Sequence, residues 1–307
     1  MKANFLHVND LSESNFKEII QISHWIKKKF KNNDSFLPLT GKTMAMVFAK
    51  PSARTRISFE TGFYRMGGHA LFLGPNDIGV GKRESVADIA RVLSKFNDII
   101  MARLFDHQHI LDLAKYASVP VINGLTNFNH PCQIIADIFT IIEKKENIGD
   151  LKVTYIGDGN NIVHSWLELA MVIPINFTVI CPESFKPNME LFNSAKKVGL
   201  SNINLSHDPF EGIKNSDVVY TDVWASMGQK EESEMRKKIF NDFQVNSKLM
   251  SRAKSDAIFM HCLPAERGIE VTDNVCDSNN SVIFDQAENR MHAQNAIILK
   301  LMNIHTI

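Results

Sequence analysis

The stretch that decides the fold is TMAMVF at residues 43–48, followed at once by AKPSARTR at residues 49–56. The first segment is almost continuously apolar, which is typical of a strand buried on both faces of a parallel sheet. The second segment places hydroxyls and arginines where a helix is predicted to begin. A strand that leads directly into a helix is the repeating unit of α/β folds.

The same alternation continues along almost the whole chain. Further short runs predict strands at His69–Leu73, Asp98–Arg103, Val119–Ile122, Leu151–Ile156, Asn176–Cys181, Ile203–Leu205, Asp217–Thr221, Ala257–Met260 and Val282–Phe284. Helical patterns follow the candidate N-caps Ser12 and Ser14 and recur at 84–96, 131–145, 162–172 and 286–302. This rhythm predicts an α/β fold with doubly wound parallel sheets.

The length of 307 residues predicts about two domains. The polar stretch Lys144–Asp150 follows a long helical pattern and precedes a new strand, so it is the best candidate boundary. We therefore expect one domain at 1–147 and a second at 148–285.

The charge balance excludes some classes of function. Lys plus Arg and Asp plus Glu each number 34, so the formal net charge is zero. This argues against a general nucleic-acid binder or a polybasic membrane binder, although a local cationic pocket is compatible with it.

No apolar run reaches the ~18 residues of a membrane span. The first residues, MKANFLHVNDLSESNF, show no signal core or Arg-rich amphipathic pattern. We expect a cytosolic protein with no nucleic-acid or membrane partner.

The cysteines Cys132, Cys181, Cys262 and Cys276 form no C-x-x-C pair, and their spacing does not indicate a zinc site. A cytosolic chain of this size does not need disulfides. We expect each cysteine to be a buried filler unless its neighbours indicate otherwise, and we expect no metal and no other cofactor.

Two positions in the first half suit an anion. Ser52, Arg54 and Thr55 lie at a helix start, where N–H groups and hydroxyls hold phosphate and arginines clamp it. A solvated basic helix start is the alternative, and the G-x-x-x-x-G-K pattern of a Walker A loop is absent. Arg103 closes an apolar strand, where it would face an oxyanion or pair with Asp106.

Two further residues lie at helix starts. His130 precedes Pro131, the expected first residue of a helix, so its imidazole would face the ligand side and donate to a carbonyl. A purely structural histidine is the alternative. Arg290 opens the final helix, where it would reach an anion or remain a surface charge.

Three loops follow strands in the second half. Gly157–Gly159 resembles half of a dinucleotide fingerprint, but Ile162 stands at the third glycine position, which weakens the interpretation as a nicotinamide dehydrogenase. Asp222–Gly228 offers a carboxylate and a hydroxyl for an ammonium or amino-acid head group, or forms a plain turn. Cys262 has His261 and Arg267 nearby in sequence, which would favour a thiolate; a buried inert thiol is the alternative.

Taken together, the motifs S-x-R-T-R at 52–56, H-P-x-Q at 130–133, D-x-x-x-S-M-G at 222–228 and H-C-L-P at 261–264 resemble the aspartate/ornithine carbamoyltransferase family. The match covers essentially the whole chain, in order, and is closest to the ornithine-specific members. It implies two α/β domains, with the last helix, 286–307, returning to the first. It also implies transfer of the carbamoyl group of carbamoyl phosphate to the δ-amine of L-ornithine, a step of arginine biosynthesis. The family's homotrimer, sometimes of higher order, implies active sites shared between subunits.

The resemblance also implies roles for individual residues. Carbamoyl phosphate would contact Ser52, Ala53, Arg54, Thr55, Arg103, His130, Gln133, Cys262, Leu263 and Arg290. Ornithine would contact Asn161, Asp222, Ser226 and Met227. The catalytic residues would be Arg103, His130, Asp222 and Cys262. The Leu263–Pro264 bond is expected to be cis.

Three positions depart from the family's usual residues. Ala53 stands where Thr is usual, Ala49 where Glu is usual, and Gly79 where a Gln usually contacts carbamoyl phosphate. We therefore do not expect that glutamine contact. The losses are compatible with a weaker affinity for carbamoyl phosphate, while the arginines and His130 remain.

The chemistry agrees with the resemblance. Carbamoyl phosphate needs a local cationic cage, which Arg54, Arg103 and Arg290 would supply. The δ-amine of ornithine, with a pKa of about 10.4 as for Lys, must lose a proton before it attacks. Donors such as Arg103, His130 and Thr55 would each stabilise the oxyanion by ~3–4 kcal/mol. The departing phosphate can accept the amine proton, so Cys262 does not need to become covalently carbamoylated.

Several alternatives remain open from the sequence. One is a carbamoyltransferase for another amine, putrescine or an N-acylornithine, although the S-M-G loop favours ornithine with a free α-amino group. Another is a non-catalytic homologue, which would have no reason to keep all the polar site residues. The polar segment Asp222–Lys238 is predicted to be a mobile lid over the ornithine site.

Overall fold

The computed structural model describes residues 3–81, 84–146, 148–225 and 232–304. The chain divides into two compact units, Met1–Phe139 with Glu288–Ile307 and Thr140–Ala287. Each unit is built on one fully parallel sheet with helices connecting the strands. The predicted α/β fold is therefore confirmed, and the final helical residues belong to the first unit as expected.

Unit 1 contains a four-stranded sheet in the order β2-β1-β3-β4. Its strands are β1 Thr43–Phe48, β2 His69–Leu73, β3 Ile99–Arg103 and β4 Val121–Leu125. The chain winds outward from β1 to β2 and then returns to β3 on the other side, so the strand order reverses between β1 and β3. Ligands of open parallel sheets bind beyond the carboxyl ends of the strands at such a reversal.

Unit 2 contains a five-stranded sheet in the order β7-β6-β5-β8-β9. Its strands are β5 Lys152–Ile156, β6 Asn176–Ile180, β7 Asn202–Ser206, β8 Val218–Thr221 and β9 Ile258–His261. Here the strand order reverses between β5 and β8. The loops that follow these two strands are therefore the expected ligand side of unit 2.

The helices connect the strands in the usual crossover manner. They are α1 Glu13–Lys31, α2 Ala53–Arg65, α3 Pro75–Ile78, α4 Val86–Phe96, α5 His107–Tyr116, α6 Pro131–Lys145, α7 Asn161–Leu169, α8 Met189–Val198, α9 Pro209–Gly212, α10 Ser233–Phe240, α11 Ser247–Met250, α12 Asp273–Cys276 and α13 Ile283–Leu301. Ser12, rather than Ser14, caps α1, because its side chain accepts the Asn15 N–H. The transitions between the two units fall inside α6 and α13.

The strand predicted at Val282–Phe284 is wrong. Ile283 is the first residue of α13, and the sheet pairing at this point is limited to an isolated bridge between Ser281 and Phe259. A three-residue apolar run does not distinguish a strand from the first turn of a buried helix. The side chain of Ile283 packs in the core of unit 2. An apolar residue at this position is therefore explained by its burial and does not indicate a strand.

Among the described residues, no helix combines the length and apolarity that crossing a membrane would require.

Candidate active site

The ends of β1 and β3 build one corner of unit 1. Phe48 is paired in register with Arg103, and the next two amides, Ala49 N and Lys50 N, both donate to the Arg103 carbonyl at 3.0 and 3.3 Å. The chain then enters α2, where Ser52 is the N-cap and its Oγ accepts the Thr55 N–H at 3.3 Å. This turn carries the start of α2 to the carboxyl end of the sheet.

The Thr55 hydroxyl is the point on which two arginines converge. Its Oγ1 accepts hydrogen bonds from Arg290 Nη2 at 2.8 Å and from Arg103 Nη1 at 3.4 Å, and it lies 3.1 Å from Ser52 Oγ. Thr55 is fully buried, and the two arginines are only 4% and 6% exposed. Two permanently charged guanidinium groups at a helix N-terminus form a site for an anion.

His130 lies in the same cationic environment. It is buried, and the burial together with the charges of Arg290, Arg103 and Lys50 holds the pKa of its imidazole well below the usual 6.5. His130 is therefore neutral at physiological pH, and one of its two ring nitrogens carries a hydrogen. The cations that attract an anion also prevent this histidine from carrying a charge.

Gln133 lies on the first turn of α6 and is fully buried. Its Nε2 donates to Asp137 Oδ1 at 2.8 Å, which fixes the orientation of the amide. Within the described parts of the chain, the amide oxygen Oε1 has no hydrogen-bond partner. This oxygen can accept a hydrogen bond from a ligand N–H.

Three of the four cysteines are buried, as predicted. Burial raises the thiol pKa to about 12 for Cys132 and for Cys181, and it also raises the pKa of Cys276. Their thiols are therefore unreactive fillers.

In unit 2, the loops after β5 and β8 lie side by side because Ile156 pairs with Thr221. Asn160 caps α7 by accepting the Ile162 N–H, and its Nδ2 donates to Asp222 Oδ2 at 3.0 Å. The other oxygen of Asp222 accepts a hydrogen bond from Cys262 Sγ at 3.1 Å. The carboxylate is thus held from both sides.

This geometry favours the thiol form of Cys262 over a thiolate. A thiol that donates to a carboxylate has its proton between the two groups. The Arg267 guanidinium, which the sequence offered as a stabiliser of the thiolate, forms ion pairs with Asp273 and Asp277.

The Asp222 carboxylate, the Cys262 thiol and the His261 imidazole have ligand atoms within 4.8 Å of one another, a set able to hold a metal ion. Both ring nitrogens of His261 are already engaged. Nδ1 accepts the Leu263 N–H at 2.9 Å, and Nε2 lies 3.2 Å from Glu270 Oε1. The imidazole would have to give up one of these hydrogen bonds to bind a metal. The expectation of no metal remains a prediction.

The remaining predicted residues lie as follows. Ala53 and Asn161 are the first residues of α2 and α7, and Arg54 is on the first turn of α2. Leu263 begins a cis bond to Pro264, as expected. Ser226 and Met227 lie outside the described residues.

The predicted lid, Asp222–Lys238, also falls partly outside the described residues, at 226–231. On its described side, the buried Arg236 of α10 donates to Asp158 Oδ2 and to the Trp224 carbonyl, both at 2.8 Å. The chain next to Asp222 is therefore anchored to the loop after β5.

The half-fingerprint glycines have a structural reason. A Cβ at Gly159 would collide with the backbone at Lys186 and Pro187. The close backbone approach accounts for this glycine without a dinucleotide. Gly79 ends α3 in the left-handed conformation with φ 52° and ψ 48°, where glycine has no steric penalty.

Comparison with known proteins matches both halves of the chain. A family model described as the carbamoyl-P binding domain of aspartate/ornithine carbamoyltransferase matches residues 3–143, and one described as the Asp/Orn binding domain matches residues 149–301. The chain belongs to the aspartate/ornithine carbamoyltransferase family.

Individual relatives are similar over nearly the whole carbamoyltransferase chain. A chloroplastic ornithine carbamoyltransferase of Pisum sativum is 58% identical over 300 residues, covering 97% of this chain and 80% of the relative. An ornithine carbamoyltransferase of Thermococcus kodakarensis is 51% identical over 302 residues, covering 97% and 95%. The solved ornithine carbamoyltransferase of Pyrococcus furiosus superposes with a TM-score of 0.93 at 48% identity, covering 99% of this chain and 98% of that one.

Sequence reasoning missed polar residues in each of the two units of this carbamoyltransferase. Lys50 is buried and its charge acts on His130, and Asn160 donates a hydrogen bond to Asp222. An Asn immediately before a helix is a frequent N-cap, so the position of Asn160 could have been found. No local pattern marks Arg236.

Proposed function

We propose that this carbamoyltransferase transfers the carbamoyl group of carbamoyl phosphate to the δ-amine of L-ornithine, forming L-citrulline and phosphate. The observation that carries the proposal is the convergence of Arg103 and Arg290 on the buried hydroxyl of Thr55 at the start of α2. The names of the relatives, ornithine carbamoyltransferases at 46–58% identity, support the same reaction.

Unit 1 provides groups that suit carbamoyl phosphate. Arg103, Arg290 and the hydroxyl-bearing start of α2 would hold the phosphate oxygens. The neutral imidazole of His130 would donate to the carbamoyl oxygen. The amide oxygen of Gln133 would accept a hydrogen bond from the carbamoyl NH₂ group.

Unit 2 provides groups that suit an amino acid with two amines. The Asp222 carboxylate, held by Asn160 and Cys262, would pair with an ammonium of ornithine. With a pKa near that of Lys, about 1 in 2,500 δ-amines is unprotonated at pH 7, so the reaction depends on selecting or generating the neutral amine. The Cys262 thiol beside Asp222 is a polar contact for that amine, and Leu263 and Asn161 would border the substrates as the resemblance implies.

The reaction needs no covalent intermediate on the protein. The δ-nitrogen lone pair forms a bond to the carbamoyl carbon, and the carbonyl oxygen gains the negative charge. Collapse of this tetrahedral species breaks the bond from carbon to the bridging oxygen. Phosphate leaves with that electron pair and takes the proton from the nitrogen. The oxyanion would be stabilised by Arg103, His130 and Thr55. These donors are buried and oriented before the reaction, so they need no rearrangement when the charge develops.

We also propose a homotrimer. Unit 1 exposes large apolar side chains on two helices, Ile57 and Tyr64 on α2 and Val92 and Phe96 on α4, with Tyr64 and Phe96 75% and 74% exposed. Ile57 and Tyr64 are seven residues apart and Val92 and Phe96 four apart, so each pair lies on one face of its helix, and such exposed apolar pairs suit an assembly surface. Multi-angle light scattering tests the mass, and Phe96→Asp should lower it towards one chain. A cytosolic location remains a prediction, which cell fractionation would test.

The experiment that tests the function is a colorimetric citrulline assay with carbamoyl phosphate. Ornithine, putrescine, N-acetylornithine and aspartate would be compared as acceptors. We expect turnover with ornithine alone. Turnover with a different amine would overturn the acceptor, and no turnover with any of them would favour a non-catalytic homologue.

A matched pair of variants assigns the acceptor site. Asp222→Asn keeps the shape of the side chain but removes its charge, and it should abolish most turnover with ornithine. Asp242→Asn removes a charge from an exposed acid of the same unit and should leave turnover unchanged.

A further inference from the structure

The N-terminal segment of unit 1 is attached to the edge of the sheet beside the loop that leads to His130. Phe5 N donates to the Val121 carbonyl and Asn123 N donates to the Phe5 carbonyl, both at 2.9 Å. The Asp10 carboxylate accepts the N–H groups of Leu6 and His7, both at 2.9 Å. The segment therefore holds His7 in a defined position next to β4.

Four side chains form a closed hydrogen-bonded ring at this place. Asn129 Nδ2 lies 3.0 Å from His7 Nδ1, and His7 Nε2 lies 3.2 Å from His107 Nε2. His107 Nδ1 lies 2.9 Å from Thr126 Oγ1, and Thr126 Oγ1 lies 3.4 Å from Asn129 Oδ1. The phenyl group of Phe128 packs against both imidazoles. We call this set, His7, His107, Thr126 and Asn129, the histidine ring.

Neighbouring groups leave a single arrangement of protons in the histidine ring. Asn129 Nδ2 also faces the Leu6 carbonyl at 3.2 Å, and Asn129 Oδ1 accepts from Asn123 Nδ2 at 2.6 Å, so the orientation of the Asn129 amide is fixed. An amide nitrogen only donates, so His7 Nδ1 must be unprotonated and His7 Nε2 carries the hydrogen. His107 Nε2 must then accept, which leaves the hydrogen of His107 on Nδ1, donating to Thr126.

This arrangement requires both imidazoles to be neutral. A second proton on His107 would sit on Nε2 and face the N–H of His7 Nε2 at 3.2 Å, so that two donors would oppose each other. A second proton on His7 would sit on Nδ1 and face the NH₂ group of Asn129 in the same way. Burial and the neighbouring His7 lower the pKa of His107 to about 4, against the opposite influence of Asp106 at the start of α5. The other acid of this region, Asp10, is engaged by backbone N–H groups.

The histidine ring acts directly on the turn that precedes His130. Thr126 N donates to the Asn129 carbonyl at 2.9 Å, and the Thr126 hydroxyl accepts the N–H groups of Phe128 and Asn129. Asn129 is covalently linked to His130. Opening the ring would remove the side-chain bonds from His107 to Thr126 and from Asn129 to His7, which hold the two ends of this turn, and so would loosen the position of His130.

We propose that His7 and His107 are positioning residues for catalysis, which hold the 126–129 turn, and through it His130, by a ring that closes only when both imidazoles are neutral. This inference rests on the proposed function for the role of His130. The N-terminal segment thereby contributes to the use of carbamoyl phosphate from outside the substrate site.

The first test reads the protons of the wild-type protein directly. Histidines are labelled with ¹⁵N, and the tautomers are assigned from long-range ¹H–¹⁵N spectra at pH 7.5. His7→Gln and His107→Gln identify the two resonances. We expect the Nδ1–H tautomer for His107 and the Nε2–H tautomer for His7. An Nε2–H tautomer at His107, or a charged imidazole at either position, would overturn the ring.

The second test is a double-mutant cycle read as kcat/KM for carbamoyl phosphate. His7→Phe and His107→Phe should each lower it by about 10- to 100-fold through kcat, because a small misplacement of a catalytic group is costly. The double variant should be about as active as the worse single variant, since the ring opens only once. The proposal would be contradicted if the loss of kcat/KM in the double variant equalled the product of the two single losses, or if the single variants had wild-type activity.

Two controls separate positioning from a structural role. His7→Gln can accept from Asn129 and donate to His107, so it should restore most of kcat, whereas a role in stability alone would give variants with lowered unfolding midpoints and normal kcat. His69→Gln changes an exposed histidine of β2 and should have no effect. If the wild-type protein forms no citrulline, the proposed function fails, while the tautomers still decide whether the ring exists.

Discussion

Replacing Thr55 with valine removes a single hydroxyl from the centre of the anion site and keeps the β-branched shape. That oxygen accepts hydrogen bonds from Arg290 and Arg103 and faces Ser52 Oγ. No described neighbour accepts its own proton in the contacts that the structure shows. We therefore expect the proton to be donated to an oxygen of bound carbamoyl phosphate.

The size of the effect follows from these contacts. A hydrogen bond to a charged group contributes about 1.5–3 kcal/mol. At 1.36 kcal/mol per factor of ten, this corresponds to a loss of about 13- to 160-fold in kcat/KM for carbamoyl phosphate. Because the hydroxyl is polarised by two guanidinium groups in a fully buried place, we expect Thr55→Val to fall in the upper part of that range.

The assay is citrulline formation with carbamoyl phosphate varied at saturating ornithine, beside a measurement of the unfolding midpoint. Thr55→Ser retains the hydroxyl and should stay within about fivefold of wild type. Thr61→Val makes the same chemical change at an exposed position of α2 and should be neutral. A folded Thr55→Val variant with wild-type kcat/KM would refute the assigned role of Thr55.

Three further predictions concern protonation and covalency. The pKa of His130 is held well below 6.5, so its imidazole should stay neutral between about pH 6 and 8. The ratio of wild-type activity to His130→Ala activity should therefore be constant over this range. A ratio that increases steeply as the pH falls would contradict a neutral hydrogen-bond donor. Incubation with carbamoyl phosphate should leave Cys262 unmodified in intact-mass spectra, and a carbamoyl adduct on this thiol would refute direct transfer. The lowered pKa of His107 means that the unfolded chain binds more protons than the folded one between about pH 4 and 6.5. The free energy of unfolding should therefore be full above about pH 6.5 and decline towards pH 4, by on the order of 2 kcal/mol once solvent screening of this half-buried imidazole is allowed for. Denaturant titrations at pH 7.5 and pH 5 should show this loss in wild type but a smaller one in His107→Gln, and equal losses would contradict it.

Most of the architecture could be predicted from local patterns. The runs at 43–48 and 69–73 coincide with β1 and β2, and the helix expected at 131–145 coincides with α6. Strands buried on both faces and helices with one apolar face have distinct periodicities, so their alternation is visible along the chain. One exception is Val282–Phe284, where an apolar run begins a helix instead of forming a strand. The final helix therefore begins before residue 286, and Arg290 lies within α13 and not, as expected, at its start.

The sequence predicted individual residues of the candidate site but not the contacts between them. The start of α2 at Ser52 and the strand end at Arg103 could be located, and the resemblance named Arg290 and Asp222. The buried state of Lys50 and the contact from Asn160 to Asp222 were not foreseen. Whether a polar side chain is buried, and what faces it there, depends on the packing of distant elements.

The sequence by itself determined the alternation of strands and helices, the helix starts at the sheet ends and the family. Each of these depends on residues that are neighbours along the chain. The tertiary structure decided which groups meet: Arg290 reaches Thr55 across 235 positions, and Asn129 reaches His7 across 122. Hydrogen bonds over such separations leave no periodic pattern, because either partner alone is an ordinary polar residue. The neutral state of His130 arises in the same way, since it requires burial beside cations that only folding assembles.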